Sequence, residues 1–231
     1  MKIPLSSRLA ACCAFVPRGA RVADVGCDHG YLSIYLLKNG IASYAYASDV
    51  AEGPLQSAMR NARKFGVAEN ISFYLSDGVR NVPRDFDALV CAGMGADTMV
   101  SILTAAPWLQ DEQYRLILQC QSKTPLLRQY LTRNGWRITE ETTLKDGRFL
   151  YTVMEVCYQP DYPHLTEAEC WFPPALLENP SPYTASYYRW VVGGLELALS
   201  HQEDGEKKRI LEELKALAQT PELTWLKEEN T

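Results

Sequence analysis

Short β-rich runs alternate with helical patterns over most of the first two thirds of this 231-residue chain. Strands are predicted at residues 21–26, 44–49, 71–75, 87–92 and 115–119, and helices at 5–15, 31–39, 53–65, 97–106 and 125–134. Gly40 and Gly66 follow the second and third helices, as helix-terminating glycines often do. Five alternating units predict a mostly parallel sheet with helices on both faces.

The alternation ends after the helix at 125–134. Two β-rich runs follow, at residues 136–144 and 149–157, and Asp146-Gly147 between them is a hairpin signal. A hairpin here gives the sheet an antiparallel terminal strand, whereas an NAD-binding Rossmann domain more often continues with another crossover helix. The expected fold is therefore α/β, with the doubly wound, Rossmann-like sheet of class I methyltransferases.

The chain after the hairpin starts with a proline-rich stretch, which is expected to be a linker with a short helix at 167–172. Two helical patterns follow, at about 187–198 and 210–217. They predict a helical hairpin or a long coiled segment, which either packs on the preceding domain or grips a large substrate. We therefore expect a domain at 1–158 and a helical, coiled-coil-like region at 159–231.

Composition narrows the class of protein. No apolar run approaches the roughly 20 residues that cross a bilayer, and the N-terminus has no signal-peptide core, so we expect a cytoplasmic protein, with a monomer favoured. Seven cysteines without a Cys-x-x-Cys pair argue against disulfides and zinc, and no metal is expected. The net charge of −5 does not point to a nucleic-acid binder, although basic residues recur locally, at Lys123, Arg128, Arg133 and Arg137.

The turn after the first predicted strand, residues 24–30, reads Asp-Val-Gly-Cys-Asp-His-Gly. Gly26 and Gly30 permit a sharp turn and a close approach of the backbone to a ligand. A dinucleotide-binding turn would have a glycine where Asp28 stands, and this carboxylate would repel a pyrophosphate. S-adenosylmethionine has no phosphate and is cationic at its amino and sulfonium groups, so carboxylates such as Asp24 suit it.

Acidic and glycine residues also follow the next three strands. Asp49 ends the second strand, where a carboxylate can accept hydrogen bonds from both ribose hydroxyls. Asp77-Gly78 follows the third strand, at the height where class I methyltransferases bind the adenine amino group, and Gly93-Met94 follows the fourth, near the transferred methyl group. Because these strand ends meet at the ligand-binding edge of an open α/β sheet, they predict an S-adenosylmethionine site.

Together these sequence motifs resemble those of the TrmK family of bacterial tRNA methyltransferases. The resemblance covers about residues 5–158 and rests on Ser7-Arg8-Leu9, Ala23 to Leu32, Ser48-Asp49, Ser76-Asp77-Gly78, Ala92-Gly93-Met94-Gly95 and Asp146-Gly147. It implies S-adenosylmethionine as cofactor and, as methyl acceptor, N1 of the D-arm adenine at tRNA position 22. The chain departs from the family pattern at Ala96, where a second glycine is usual, and at Gln119-Cys120-Gln121, where the family usually has Gln-Pro-Asn.

The implied acceptor suggests a catalytic group. N1 of neutral adenine has an in-plane lone pair, so no proton has to leave before attack, but the methylated ring is cationic. Asp28 can stabilise that charge by accepting a hydrogen bond from the exocyclic amine, and the resemblance implies the same residue. His29 either orients Asp28 or the base, or makes only a local hydrogen bond, and Tyr31 either stacks on the base or packs.

Three alternatives stay open. One is a methyltransferase that acts on a small molecule, which the acidic net charge favours, or on another RNA. An NAD-dependent oxidoreductase is disfavoured by Asp28 and by the terminal hairpin. A catalytically silent nucleic-acid-binding module is disfavoured by the intact set of Asp24, Asp49 and Asp77.

Overall fold

A computed structural model describes residues 2–228; residues 1 and 229–231, the outermost positions of the two expected domains, lie outside the described residues. Within the described part, the strands are β1 (Ala20–Val25), β2 (Ala42–Asp49), β3 (Ile71–Leu75), β4 (Ala88–Met94), β5 (Arg115–Cys120), β6 (Trp136–Asp146) and β7 (Phe149–Tyr158). The helices are α1 (Ser7–Phe15), α2 (Tyr31–Lys38), α3 (Glu52–Phe65), α4 (Ala96–Thr104), α5 (Thr124–Arg133), α6 (Glu167–Trp171), α7 (Ala175–Glu178), α8 (Thr184–His201) and α9 (Gly205–Leu217).

All seven strands belong to one sheet with the order β3-β2-β1-β4-β5-β7-β6. The pairings among β1 to β5 are parallel, and β7 runs antiparallel to both β5 and β6. The predicted doubly wound sheet with an antiparallel terminal strand is confirmed. The strand order reverses between β1 and β4, and open α/β sheets bind ligands at such a switch point.

Both faces of the sheet are covered because successive side chains of a strand point to opposite faces. Ala23 and Leu89 pack in a core cluster that includes side chains of α4 and α5. Val22 and Val90 belong to a second cluster, on the face that α1 and α2 cover. This arrangement explains why the inner strands are almost continuously apolar instead of alternating.

Several strand boundaries differ from the prediction by one or two residues, and two of these differences have a clear structural cause. β2 begins at Ala42, two residues earlier than expected, because Ala42 pairs with Ala20 of β1. Gly93-Met94, expected to follow the fourth strand, forms the end of β4. The register between β4 and β5 shifts between Ala92 and Met94, and Gly93 has a φ of 83°. Glycine adopts this left-handed conformation readily, so the strand continues past the irregularity.

The C-terminal helices form a helical hairpin, which decides between the two predicted arrangements. α8 packs against α9, and the Tyr188 hydroxyl of α8 donates to the Leu214 carbonyl of α9 at 2.8 Å. α8 also contacts β6 and β7. The proline-rich stretch contains the predicted short helix, α6, and a further one, α7, and these pack against α5 and β6 respectively.

A buried ion pair joins the sheet to this C-terminal region. Arg128 of α5 donates to both carboxylate oxygens of Glu141 in β6, at 2.6 and 3.1 Å, and both side chains are fully buried. Arg128 also donates to the Cys170 carbonyl of α6 at 2.8 Å. Arg128 is therefore not part of a basic surface, although it is one of the basic residues that recur locally in the sequence, because its charge is buried and paired with Glu141.

Three observations on the described residues concern disulfides, membrane-spanning helices and metal sites. All seven cysteines lie among the described residues and are free and buried. From residue 2 to 228, no helix has both the length and the apolar character required to span a bilayer. Over the same range, no group of three or more His, Cys, Asp or Glu side chains is arranged to hold a metal ion.

Candidate active site

The turn between β1 and α2 is held against the end of β2 by backbone amides. The amides of Gly26 and Cys27 both donate to the carbonyl oxygen of Ser48, at 2.8 and 2.9 Å. The Asp28 amide donates to a carboxylate oxygen of Asp49 at 3.1 Å. The first two predicted motifs are therefore parts of one hydrogen-bonded unit.

Two glycines of this turn stand where a side chain would meet a neighbour. Gly26 and Gly30 have φ values of 72° and 71°, in the left-handed region. A Cβ on Gly26 would collide with Met94 Cε, and one on Gly30 would lie 2.9 Å from the Cβ of Ala58 in α3. Gly26 thus lets Met94 cover the turn, whereas Gly30 lets the start of α2 approach α3.

Asp24 lies near the end of β1 and is buried beneath the turn. Burial raises the pKa of Asp24 to about 6, because loss of hydration disfavours the charged carboxylate. Ser33 of α2 opposes this effect by donating from its hydroxyl to Asp24 Oδ2 at 2.7 Å. A cationic group beside Asp24 would favour its ionised form, so this position suits a positively charged ligand.

Asp49 ends β2, and backbone amides orient its carboxylate. Oδ2 accepts the hydrogen bond from Asp28, and Oδ1 accepts one from the Ala51 amide at 3.0 Å. A carboxylate oxygen has two lone-pair directions, so each oxygen can accept a further donor. The carboxylate is thereby fixed beside the turn and remains able to accept hydrogen bonds from hydroxyl groups.

Asp77 and Gly78 follow β3, next to Asp49 along the edge of the sheet. The Ser76 amide donates to the Asp49 carbonyl at 2.9 Å, which ties the two strand ends together. The Asp77 carboxylate is mostly exposed and lies 3.5 Å from Arg80 Nη1. Asp77 is therefore a solvated group at the outer end of the site.

A cavity of about 260 Å³ opens at the carboxyl ends of β1 and β4, where the strand order reverses. Six of the predicted residues line it: Asp24, Gly26, Asp28, His29, Tyr31 and Gly93. The other five lie outside its lining: Gly30, Asp49, Asp77, Gly78 and Met94. Because Asp49 ends β2 and Asp77 follows β3, the next two strands along the same edge, acidic residues continue from the cavity outward.

Asp28, His29 and Tyr31 reach the cavity from the turn. Asp28 has a φ of 48°, which is uncommon for a residue other than glycine, and its side chain is 70% exposed. His29 Nε2 lies 3.7 Å from Asp28 Oδ1, and the ring centroids of His29 and Tyr31 are 5.8 Å apart. The turn therefore presents a carboxylate, an imidazole and a phenol to whatever enters the cavity.

Three polar residues that were not predicted as site residues are linked by hydrogen bonds through Arg8, which lines the cavity. Arg8 of α1 donates to Asp146 Oδ2 at 2.8 Å and to Gln119 Oε1 at 3.2 Å. The same Gln119 oxygen accepts the Gly93 amide at 3.1 Å. A glutamine inside the apolar strand β5 was the available signal, since buried amides are normally hydrogen-bonded.

The strand order, together with a cavity at the switch point, defines a class I methyltransferase fold. A family model described as a methyltransferase domain matches residues 5–154, and the chain belongs to that family. The tRNA (adenine(22)-N(1))-methyltransferase of Bacillus subtilis strain 168 is 33% identical over 154 residues, which cover 66% of this chain and 65% of that relative. The aligned part of this chain thus spans just under two thirds of the relative's length.

Solved structures extend the similarity to the C-terminal helices. The structure of Bacillus subtilis TrmK superposes with a TM-score of 0.78 at 26% identity, over 98% of this chain and 100% of that chain. M. capricolum TrmK, solved with S-adenosyl-homocysteine, gives a TM-score of 0.78 at 25% identity, over 92% of this chain and 97% of that chain. These matches confirm the resemblance to the TrmK family.

Proposed function

We propose that this protein transfers a methyl group from S-adenosylmethionine to N1 of the D-arm adenine at position 22 of tRNA. The observation that carries the proposal is the likeness to Bacillus subtilis TrmK over 98% of this chain, including the helical hairpin. A likeness limited to the sheet would support methyl transfer alone. We expect the protein to act in the cytoplasm.

The residues at the switch point fit the cofactor by their charge. Asp24 is buried at the cavity, and Asp49 is oriented beside it, so carboxylates meet the cationic amino group and the ribose hydroxyls. Asp28 stands where a dinucleotide-binding turn would hold a phosphate close to a glycine. S-adenosylmethionine, when bound, supplies an electrophilic methyl group on a sulfonium.

Asp28 is the proposed catalytic residue. Its exposed carboxylate accepts a hydrogen bond from the exocyclic amine of adenine as positive charge develops on the ring. The in-plane lone pair of N1 is available without deprotonation, so orientation and charge stabilisation are the tasks of the site. Gly93, which lines the cavity without a Cβ, leaves room for the acceptor base.

His29 and Tyr31 are proposed to position the base. His29 Nε2 lies 3.7 Å from Asp28 Oδ1, close enough to orient that carboxylate when a base is bound, and Tyr31 provides a ring on which adenine can stack. N1 lies on the Watson–Crick edge, so a base engaged in tRNA structure has to be exposed before it reacts. A folded tRNA is therefore the expected substrate, in preference to free adenosine.

The test is methyl transfer from labelled S-adenosylmethionine to unmodified tRNA transcripts, followed by nucleoside analysis. Formation of 1-methyladenosine at one D-arm site is expected, and a transcript with guanosine at that site should accept no label. Equal activity on a short adenine-containing oligonucleotide would contradict the requirement for folded tRNA. Absence of transfer, with cofactor binding intact by calorimetry, would direct the search to another RNA or a small-molecule acceptor.

A further inference from the structure

A second cavity, of about 250 Å³, lies beside the candidate active site. Its walls come from the loop between β5 and α5, from β7, and from α6 and α8. Gln121 lines both this cavity and the one that contains Asp28. A ligand that extends from the active site along Gln121 would therefore reach it.

Aromatic rings dominate the apolar part of this cavity. Trp190 of α8 is 62% exposed although it lines the cavity, and its ring centroid lies 5.7 Å from that of Tyr187. Trp171 and Tyr151 are half-buried in the same lining. Exposed aromatic faces of this kind bind nucleobases by stacking, independently of sequence.

The charge of the lining also favours a nucleic acid. Among the described residues that line the cavity, Lys123 carries the one charged side chain, and Gln121, Ser122 and Thr124 add neutral polar groups. No carboxylate belongs to this lining, in a protein whose net charge is −5. Lys123 is exposed, and its ammonium lies 2.7 Å from Asp97, a contact that water or a phosphate can replace.

The backbone at Lys123 supports this interpretation. Its φ of 58° is in the left-handed region, where non-glycine residues are uncommon and where strain often accompanies a binding role. The cavity of about 250 Å³ lies below the range of roughly 300–1,000 Å³ that is typical for drug-sized ligands. A single heterocycle fits within such a space.

We propose that this cavity binds one nucleobase of the RNA substrate, next to the base presented to Asp28. Trp190 stacks on that base, and Lys123 binds an adjacent phosphate. The proposal rests on the proposed function, because it takes the RNA to be the substrate of the neighbouring cavity. It assigns to α8 a direct role in RNA binding.

The test compares Trp190→Ala with Leu197→Ala. Leu197 is on the same helix and is also 62% exposed, but it does not line the cavity. Binding is measured by fluorescence anisotropy of labelled, unmodified tRNA transcript, which requires no turnover. Trp190→Ala should raise the Kd about tenfold, Leu197→Ala should leave it nearly unchanged, and Trp190→Phe should keep most of the affinity.

Salt dependence separates the two proposed contacts. Lys123→Ala should reduce the slope of log K against log salt by about one, because one phosphate contact is lost. Trp190→Ala should leave this slope unchanged, since stacking releases no counterion. Cofactor affinity, measured by calorimetry, should be the same in all four variants and shows that each is folded.

Several results would overturn the proposal. Equal Kd values for the Trp190→Ala and Leu197→Ala variants, with tRNA still methylated by the wild-type protein, would reject the nucleobase site and keep the proposed function. Wild-type binding without methyl transfer would reject the proposed reaction, and the same pair of variants would still decide the binding site. A dimer that Trp190→Ala dissociates would instead assign the cavity to a second copy of this chain.

Discussion

Asp28 combines a left-handed backbone with a mostly exposed carboxylate. Asp28→Asn keeps a residue type that tolerates this backbone but removes the charge. We expect kcat for tRNA methylation to fall about a hundredfold, with the Kd for S-adenosylmethionine nearly unchanged, because the lost interaction forms only as the base becomes cationic. Steady-state kinetics and calorimetry measure the two quantities.

Asp28→Gly is the matched control for the backbone. Glycine adopts a φ of 48° without strain, so this variant relieves the turn and also lacks the carboxylate. It should be as inactive as the asparagine variant. Recovery of activity in Asp28→Gly would show that backbone conformation, and not charge, limits the Asn variant.

Asp24 predicts a pH dependence of cofactor binding. Its pKa of about 6 means that the carboxylate loses its charge as the pH falls through this value, and a cationic ligand then loses its partner. Affinity for S-adenosylmethionine should therefore be highest at neutral pH and decline as the pH falls through about 6. Ser33→Ala removes the hydrogen bond that lowers the Asp24 pKa, so it should move the midpoint to higher pH.

The same group predicts an opposite effect on the free protein. A pKa raised by folding stabilises the folded state below the pKa of the unfolded chain, and this contribution is lost as the pH rises through about 6. Asp24→Asn should therefore raise the thermal stability of the ligand-free protein at neutral pH while it weakens cofactor binding. Lower stability together with unchanged cofactor affinity would contradict the proposed role of Asp24.

Arg128 connects α5, β6 and α6 through hydrogen bonds to Glu141 and to the Cys170 carbonyl. Arg128→Ala leaves a buried, unpaired carboxylate, which typically costs about 3–5 kcal/mol. We expect a loss of this order in the free energy of unfolding and faster proteolysis of the proline-rich segment that holds α6. Arg133→Ala removes an exposed charge from the same helix and should change stability little.

Ligand binding at the switch point involves the sheet and the helices on both of its faces, so it should stabilise the whole molecule. At a concentration of S-adenosylmethionine about 100 times its Kd, mass action should raise the Tm by about 5–10 °C for a chain of this size. NAD should produce no such shift, because its pyrophosphate would meet the Asp28 carboxylate. An equal shift with NAD, measured by scanning calorimetry, would favour the oxidoreductase alternative.

Local sequence patterns determined most of the secondary structure and the position of the candidate ligand site. Apolar periodicity predicted the alternating strands and helices, and Asp146-Gly147 predicted the hairpin that makes the terminal strand antiparallel. Acidic and glycine residues at successive strand ends indicated one ligand site, because parallel strands place their carboxyl ends at the same edge. These features depend on short stretches of chain, whose conformational preferences can be read directly.

Contacts between distant residues were decided only by the tertiary structure. Arg8, Gln119 and Asp146 form one polar cluster although more than a hundred residues separate the first from the others. The sequence indicated Arg128 only as one of several local basic residues, and Trp190 did not stand out among its helical neighbours. Packing buries Arg128 and leaves Trp190 exposed at a cavity. Burial depends on which helices and strands pack together, and the periodicity of a single element does not determine this.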